Sequence, residues 1–126
     1  MPDRKVLDDF IATVVSGQHD VAVERFYAED AALQENLGEI RRGRENHAER
    51  ERGFLKLFKE IRTTCVPPVF VSGDHVVIHW IFEFVREDGK VLRIEELAHQ
   101  RWEGEKMAEE RFYYDPAQRQ VWLDSV

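Results

Sequence analysis

The spacing of apolar residues changes once along this chain, near Thr63, and that change constrains the fold more than any other feature. Before Thr63 apolar residues recur every three to four positions, which is the period of an amphipathic helix. After it they alternate with polar residues, which is the period of a strand. Helices followed by strands predict an α+β domain, with helices laid over one face of a curved sheet.

Three helices are expected in the first half of the chain. The first ends at Gly17, and Asp20 is expected to cap a short second helix, so that the two form a hairpin. The third is expected from about Glu45 to about Ile61. Between the second and third helices, residues 31–36 are expected to form a short strand and residues 38–43 a polar turn.

Turn signals divide the second half into four long strands, which we expect to form an antiparallel meander. These signals are Ser72-Gly73-Asp74, Glu87-Asp88-Gly89-Lys90 and Glu103-Gly104-Glu105. Pro67 and Pro68 remove two backbone donors from the first of these strands. That strand should therefore be broken, bulged or at an edge.

Length and charge limit the partners. A chain of 126 residues fits one domain, expected over 1–126 with a core at 5–116 and a tail at 117–126. The apolar tail residues at 121–123 are expected to dock on the fold or on a second subunit. The net charge of −7 argues against nucleic acid, because phosphate neutralisation needs a basic stripe.

No feature of the chain predicts a membrane or a redox role. No apolar run approaches the ~20 residues that span a bilayer, and the first residues lack the apolar core of a signal peptide. Cys65 is the single cysteine, so it forms neither an internal disulfide nor a thiolate metal site. We therefore expect a cytoplasmic protein that has no membrane partner.

Four short segments carry a resemblance to a known family. They are FYAEDA at 26–31, ENLG at 35–38, RGRE at 42–45 and KMAEERFYYD at 106–115. Their order and spacing resemble the SnoaL-like and ketosteroid-isomerase-like branch of the NTF2-like superfamily. The resemblance implies a cone, in which a strongly bent antiparallel sheet wraps around a long helix beside an N-terminal helical hairpin, with a mostly apolar pocket inside.

Strand alternation and the family pattern together assign the two faces of the sheet. The pocket face is expected to carry Ile78, Trp80, Phe82, Phe84, Ile94, Glu96, Ala98, Gln100, Trp102, Glu110, Phe112 and Tyr114. The candidate ligand contacts are Phe10, Val14, Phe54, Phe58, Trp80, Phe82, Ala98, Gln100, Phe112 and Tyr114.

The opposite, outer face mixes both signs of charge. It is expected to carry His79, Glu83, Glu95, His99, Arg101, Glu109, Arg111 and Tyr113, with ion pairs such as Arg101 to Glu109. No metal is expected here, because the histidines and carboxylates lack a dense ligand motif. The apolar members Val77, Ile81, Val85 and Leu97 indicate a covered patch, and hence a homodimer through this face.

Glu35 is the first catalytic candidate, because the resemblance places it where the isomerase pattern carries its proton-shuttling acid. An apolar cavity would raise its pKa toward the range useful for proton transfer. A solvated glutamate at the pocket mouth is the alternative. If Glu96 or Glu110 lies near Glu35, like-charge repulsion would hold one of them protonated, which gives an acid and a base in one cleft.

Two departures from the family patterns limit the known chemistries. The tyrosine and aspartate that stabilise the isomerase's enolate fall on Phe10 and Ala98, so the oxyanion would lack donors. The histidine and aspartate of the polyketide-cyclase pattern fall on Ala98 and Phe112. His47 is within reach of the pocket mouth, although we expect it to be partly exposed with a local hydrogen bond.

Three functions remain open. The first is a cofactor-independent enzyme, of isomerase, cyclase or hydrolase type, that acts on a small apolar organic molecule by carboxylate acid/base catalysis. The second is a non-catalytic binder of such a molecule, and the third is a dimeric assembly module. No cofactor is expected, because the sequence has no glycine-rich phosphate loop and no nucleophile elbow.

Overall fold

Three helices cover the concave face of a six-stranded sheet, which confirms the α+β expectation. The computed structural model describes residues 2–120, so the tail segment at 121–123 lies outside the described residues. The elements are α1 (Arg4–Val15), α2 (His19–Phe26), β1 (Tyr27–Glu35), β2 (Arg41–Arg42), α3 (Arg44–Leu55), β3 (Glu60–Ser72), β4 (His75–Val85), β5 (Val91–Glu103) and β6 (Lys106–Tyr113). None of these helices is long and apolar enough to cross a membrane.

The sheet is curved and unclosed, with strand order β2-β1-β6-β5-β4-β3. Strands β3 to β6 form the expected antiparallel meander. Strand β1 joins the meander by a parallel pairing with β6, which the sequence pattern did not indicate. The β3–β4 register shifts between Val66 and Phe70, around the two prolines, and β3 is an edge strand, as expected.

Several expected boundaries were wrong. Helix α3 ends at Leu55 and not near Ile61, which pairs with Phe84 in the β3–β4 ladder. The apolar run continues beyond the helix because Phe58 packs on the sheet from the connecting segment. Gln18, and not Asp20, is the N-cap of α2, and Asp20 lies in its first turn, where a negative charge is favourable.

The strand before α3 also differs from expectation. Strand β1 begins at Tyr27, directly after α2, and not at Ala31. The expected polar turn contains the two-residue strand β2, which pairs antiparallel with β1. This short pairing matters for the site, because it brings Arg41 beside the concave face.

Aromatic side chains fill the space between the helices and the sheet. The Phe10 ring of α1 meets Trp102 and Phe26 edge-on, at centroid distances of 5.7 and 5.6 Å. Every residue assigned to the pocket face is buried or partly buried. The core therefore lies on the face that strand alternation indicated.

The outer face carries the expected charged residues. Arg101 Nη2 lies 3.2 Å from Glu109 Oε1, as predicted. His79 Nε2 lies 2.6 Å from Glu95 Oε2. Val85, which was expected in a covered part of this face, is buried at the end of β4, where its carbonyl accepts from Lys59 N–H.

Candidate functional site

A cavity of about 360 Å³ lies between the helices and the concave face of the sheet. This volume is within the range of small-molecule sites, which are mostly apolar with a few polar groups. The apolar wall includes Phe10, Val14, Val23, Leu33, Phe54, Trp80, Phe82, Phe84, Ile94 and Phe112. The polar lining is Tyr27, His19, His47, Glu35, Glu51, Glu96, Glu110, Arg41, Arg50 and Arg119.

Strand pairing brings distant parts of the chain to one wall of this cavity. Arg41 of β2 pairs with Leu33 of β1, which pairs with Glu110 of β6. Glu35 pairs with Phe112 in the same way. Paired residues of neighbouring strands share a face, so all five side chains line the cavity.

Glu110 is buried, and both of its carboxylate oxygens accept hydrogen bonds. The Tyr27 hydroxyl donates to Oε1, and Gln100 Nε2 donates to Oε2 at 2.7 Å. Gln100 is itself held by Trp102 Nε1, which donates to its Oε1 at 3.0 Å. Burial raises the pKa of Glu110 to about 7, although the hydrogen bonds from Tyr27 and Gln100 act in the opposite direction.

Glu96 lies in the same wall without such partners. Within residues 2–120, no side chain donates a hydrogen bond to its carboxyl group. Burial raises its pKa to about 8, assisted by the negative charges of Glu110, Glu35 and Glu51. At neutral pH the Glu96 carboxyl group therefore holds its proton and is a hydrogen-bond donor inside the cavity.

Glu51 of α3 was not among the sequence candidates, yet it lines the cavity. Burial raises its pKa to about 7, with further contributions from Asp20 and Glu35. Its position four residues after His47 places both side chains on one face of α3. That spacing was the available signal, but α3 is polar on most of its surface and so shows no clear buried face.

Glu35 lies at the end of β1, where it lines the cavity and remains partly exposed. Arg119 Nη2 lies 3.8 Å from its Oε1. The side chain thus combines the two alternatives that the sequence left open, a cavity position and a position at the mouth. Its negative charge contributes to the raised pKa of both Glu96 and Glu51.

The expectation that His47 is partly exposed was wrong, because the side chain is only 3% exposed. Its Nε2–H donates to the carbonyl oxygen of Ala31 at 2.7 Å, and burial lowers its pKa. A proton on Nε2 leaves the lone pair on Nδ1 as an acceptor. Packing of α3 on β1 creates this contact, which no local sequence pattern encodes.

His19 was also missed. It hydrogen-bonds Thr63 through Nε2 at 2.9 Å, and its ring meets Phe82 edge-on with centroids 5.2 Å apart. Burial lowers its pKa to about 4. His19 is therefore a neutral polar group in the cavity wall near neutral pH.

Six of the ten candidate ligand contacts line the cavity, and the other four lie behind or beside its wall. Phe58 packs in a separate cluster with Phe84, Leu92 and Ile94. Ala98 is too short to reach past its larger neighbours and is fully buried in the core. Gln100 supports Glu110 from behind, and Tyr114 follows the end of β6 with its ring 5.9 Å from the Arg119 guanidinium.

The carboxyl groups do not form a recognisable metal centre. Within residues 2–120, no group of three or more His, Cys, Asp or Glu side chains is arranged to hold a metal ion. The arrangement instead offers proton donors and acceptors beside an aromatic surface, which is the chemistry of general acid/base catalysis or polar ligand binding.

Solved structures of the same fold support the cone architecture. A protein of Jannaschia sp. CCS1, provisionally named a SnoaL-like polyketide cyclase, superposes with a TM-score of 0.78 at 10% identity, covering 97% of this chain and 94% of that one. A Mesorhizobium loti protein, also provisionally named a SnoaL-like polyketide cyclase, gives 0.71 at 21% identity, covering 87% and 97%. A Catenulispora acidiphila protein with a ketosteroid-isomerase-like fold, solved with trimethylamine, gives 0.72 at 18% identity, covering 89% and 86%.

Sequence comparison gives the family. No curated protein sequence matches the chain. The family model described as the SnoaL-like domain matches residues 7–110, which include most of α1, the other two helices, β1 and most of the meander. With the cone-shaped fold and the helix-covered cavity on the concave face of its sheet, this chain belongs to the SnoaL-like domain family of NTF2-like folds.

Proposed function

We propose that this protein binds a small, largely apolar organic molecule in the cavity and moves a proton on it with carboxyl groups, without a metal or nucleotide. The reaction would be of isomerase, cyclase or hydrolase type. One observation carries the proposal: two carboxyl groups with contrasting surroundings, Glu96 and Glu35, line one aromatic cavity. Acid/base sites place groups in environments that separate their protonation states.

Each carboxyl group has a role under this proposal. Glu35, beside the Arg119 guanidinium, is the base that takes a proton from the substrate. Glu96, which stays protonated up to about pH 8, donates a hydrogen bond or proton to the oxygen where negative charge develops. Glu96 would thereby supply the donor that Phe10 and Ala98 cannot.

A thermal-shift screen with product analysis tests the proposal. Wild type, Glu35→Gln and Glu96→Gln are heated with steroids, polyketide-like aromatics, terpenoid epoxides and fatty acids. A ligand at ~100 times its Kd adds ~2.7 kcal/mol of stability, or several degrees in Tm. We expect a ligand that wild type converts and that both variants bind without conversion. Glu29→Gln, an exposed position on the same strand as Glu35, is the matched control and should keep full activity.

A non-catalytic binder is the second candidate, and one observation favours it. The Catenulispora acidiphila protein of this fold was solved in complex with trimethylamine, a small organic molecule. A ligand that stabilises wild type, Glu35→Gln and Glu96→Gln equally, with no product from any of them, would establish the binder and contradict the enzyme.

We further propose that the protein acts in the cytoplasm as a homodimer that forms through the outer face of the sheet. Leu97 and Tyr113 on that face are 46% and 42% exposed. Sedimentation equilibrium should give twice the chain mass for wild type and a monomer for Leu97→Glu. A monomeric wild type would contradict the dimer and leave the cavity proposal standing.

A further inference from the structure

The side of the cavity formed by β2 and α3 is basic, in contrast to the net charge of the chain. Arg41 reaches it from β2, while Arg50 and His47 reach it from α3. Within residues 2–120, neither arginine forms an ion pair with a carboxylate. The basic side, defined as Arg41, Arg50 and His47, therefore carries two guanidinium charges that no described carboxylate contacts as an ion pair, while the lowered pKa of His47 keeps its ring neutral at pH 7.

Arg41 is the inner of the two cations. Its side chain is partly buried, whereas Arg50 is exposed at the cavity mouth. The Arg41 Nε atom is enclosed and makes no hydrogen bond. Buried donors are normally paired, and an unpaired one indicates either a cost to folding or a partner that arrives with a ligand. A guanidinium is also the side chain best shaped to pair with a carboxylate through two parallel hydrogen bonds.

The acids around the cavity cancel less of this charge than their number implies. Burial raises the pKa of Glu51, Glu96 and Glu110, so these carboxyl groups are partly or largely neutral at pH 7. The negative charge of Glu35 is offset by Arg119, whose Nη2 lies 3.8 Å from Glu35 Oε1. Arginine stays charged throughout this range. Because these acids are partly uncharged and Arg41 and Arg50 keep their positive charge, the cavity favours the binding of an anion.

We infer that the molecule bound in this cavity is an organic anion, whose carboxylate or equivalent oxyanion pairs with Arg41 while its apolar body packs against Trp80 and Phe112. The inference rests on the proposed function, because it specifies the substrate class of the same cavity. The strand register supports it: Arg41 pairs with Leu33, and Glu35 lies two residues further along β1 on the same face, so an anion at Arg41 lies near the carboxyl group proposed as the base.

Three probes that share one ring system test the charge preference. They are 2-naphthoate, 2-naphthalenemethanol and 2-naphthylmethylammonium, compared by isothermal titration calorimetry at pH 7 against wild type. We expect 2-naphthoate to bind at least about tenfold more tightly than the alcohol, since a charge-assisted bidentate pair is stronger than a neutral hydrogen bond. The ammonium probe should bind most weakly.

Variants then locate the preference. Arg41→Gln should weaken 2-naphthoate about tenfold and leave the alcohol unchanged, because only the charged contact is lost. Arg41→Lys keeps the positive charge but lacks the planar guanidinium group. It should lose less affinity for 2-naphthoate than Arg41→Gln does. Arg93→Gln, on the outer face of β5, is the matched control and should bind all three probes like wild type. If Arg41→Gln fails to fold, Arg50→Gln removes one guanidinium charge from the basic side and should weaken 2-naphthoate while leaving the alcohol unchanged.

The outcomes separate this inference from the function on which it rests. Three results would overturn the inference of an anionic ligand and leave the small-molecule cavity standing. They are equal affinity for 2-naphthoate and the alcohol, tighter binding of the ammonium probe, and a preference for 2-naphthoate that survives both Arg41→Gln and Arg50→Gln. If none of the three probes binds and the wider screen finds no ligand, both the anionic ligand and the small-molecule cavity are overturned.

Discussion

The hydroxyl group of Tyr27 donates a hydrogen bond to Oε1 of Glu110, and this contact fixes the first residue of β1 against a carboxyl group in the middle of β6. Gln100 occupies the other carboxylate oxygen. Both oxygens of Glu110 are therefore held in one orientation, which explains why the fold tolerates a carboxyl group that is almost fully buried.

Replacing the donor should change both the titration and the stability. In Tyr27→Phe the pKa of Glu110 should rise above about 7, because a hydrogen bond to the charged form is lost while the burial stays. The free energy of unfolding at pH 7 should fall by about 1 to 2 kcal/mol. Carboxyl-carbon NMR titration and urea denaturation measure the two effects.

Tyr113→Phe is the control for this substitution. Tyr113 lies on the outer face, on the side of the sheet away from Glu110, and its ring is 4.7 Å from the Arg111 guanidinium. It should match wild type in both measurements. A Glu110 titration that is unchanged in Tyr27→Phe would show that the hydroxyl group does not govern this carboxyl group.

The sequence was sufficient to assign the faces of the meander because strand alternation is a local property. The side chains of Ile78, Ala98 and Glu110 face the core as the period of two requires. Pairing between distant strands leaves no local trace, so the parallel β1–β6 contact was not foreseen. The position of Arg41 in the cavity depends on that contact, and for this reason the basic side was missed.

The polar residues of α3 were missed for a different reason. An amphipathic helix reveals its buried face by apolar spacing, but the buried residues of α3 are His47 and Ala48. Only the docking of α3 on β1, with its hydrogen bond from His47 to Ala31, selects that face. Glu35 and Glu96, by contrast, follow from strand alternation and from the family resemblance.

The stability of the protein should fall as the pH rises from 7 to 9, and Glu96 should account for part of that fall. Its pKa is about 8 in the folded chain and near the ordinary glutamate value in the unfolded chain. Between these values the folded state binds more protons, so the stability from Glu96 is lost as the pH passes through about 8. Between pH 7 and pH 9, the free energy of unfolding of Glu96→Gln should therefore fall by about 1 kcal/mol less than that of wild type.

Urea denaturation at pH 7 and pH 9 measures the difference. Glu109→Gln is the matched control, because the Arg101 guanidinium lowers the pKa of Glu109 and that carboxyl group is ionised throughout the window. Glu109→Gln should show the same pH dependence as wild type. An equal dependence in Glu96→Gln and wild type would mean that Glu96 is already ionised at pH 7.

His19 should make the protein acid-sensitive. Its pKa is about 4 in the folded chain and about 6.5 when unfolded, so the unfolded state binds the extra proton between these values. Its contribution to stability therefore falls as the pH drops from 6.5 to 4.5. Relative to His19→Gln, wild type should lose about 2 kcal/mol more over this interval, measured by urea denaturation.

The comparison with His19→Gln cancels the acids that titrate in the same range, because both proteins retain them. A histidine ring signal from His19 that titrates near pH 6.5 would contradict the burial of an uncharged ring at this position.

Filling the cavity should abolish ligand binding at a small cost in stability. Leu33 lies between Arg41 and Glu110 in the strand register and is only partly buried, so Leu33→Trp places an indole in the cavity with room to adjust. Overpacking costs about 1 to 3 kcal/mol, which a domain of this size survives. Calorimetry with 2-naphthoate should show at least about a tenfold loss of affinity. Leu37→Trp, at a position that is 87% exposed just beyond the end of β1, should bind like wild type. Equal affinity in Leu33→Trp and wild type would place the ligand outside this cavity and would contradict both proposals for it.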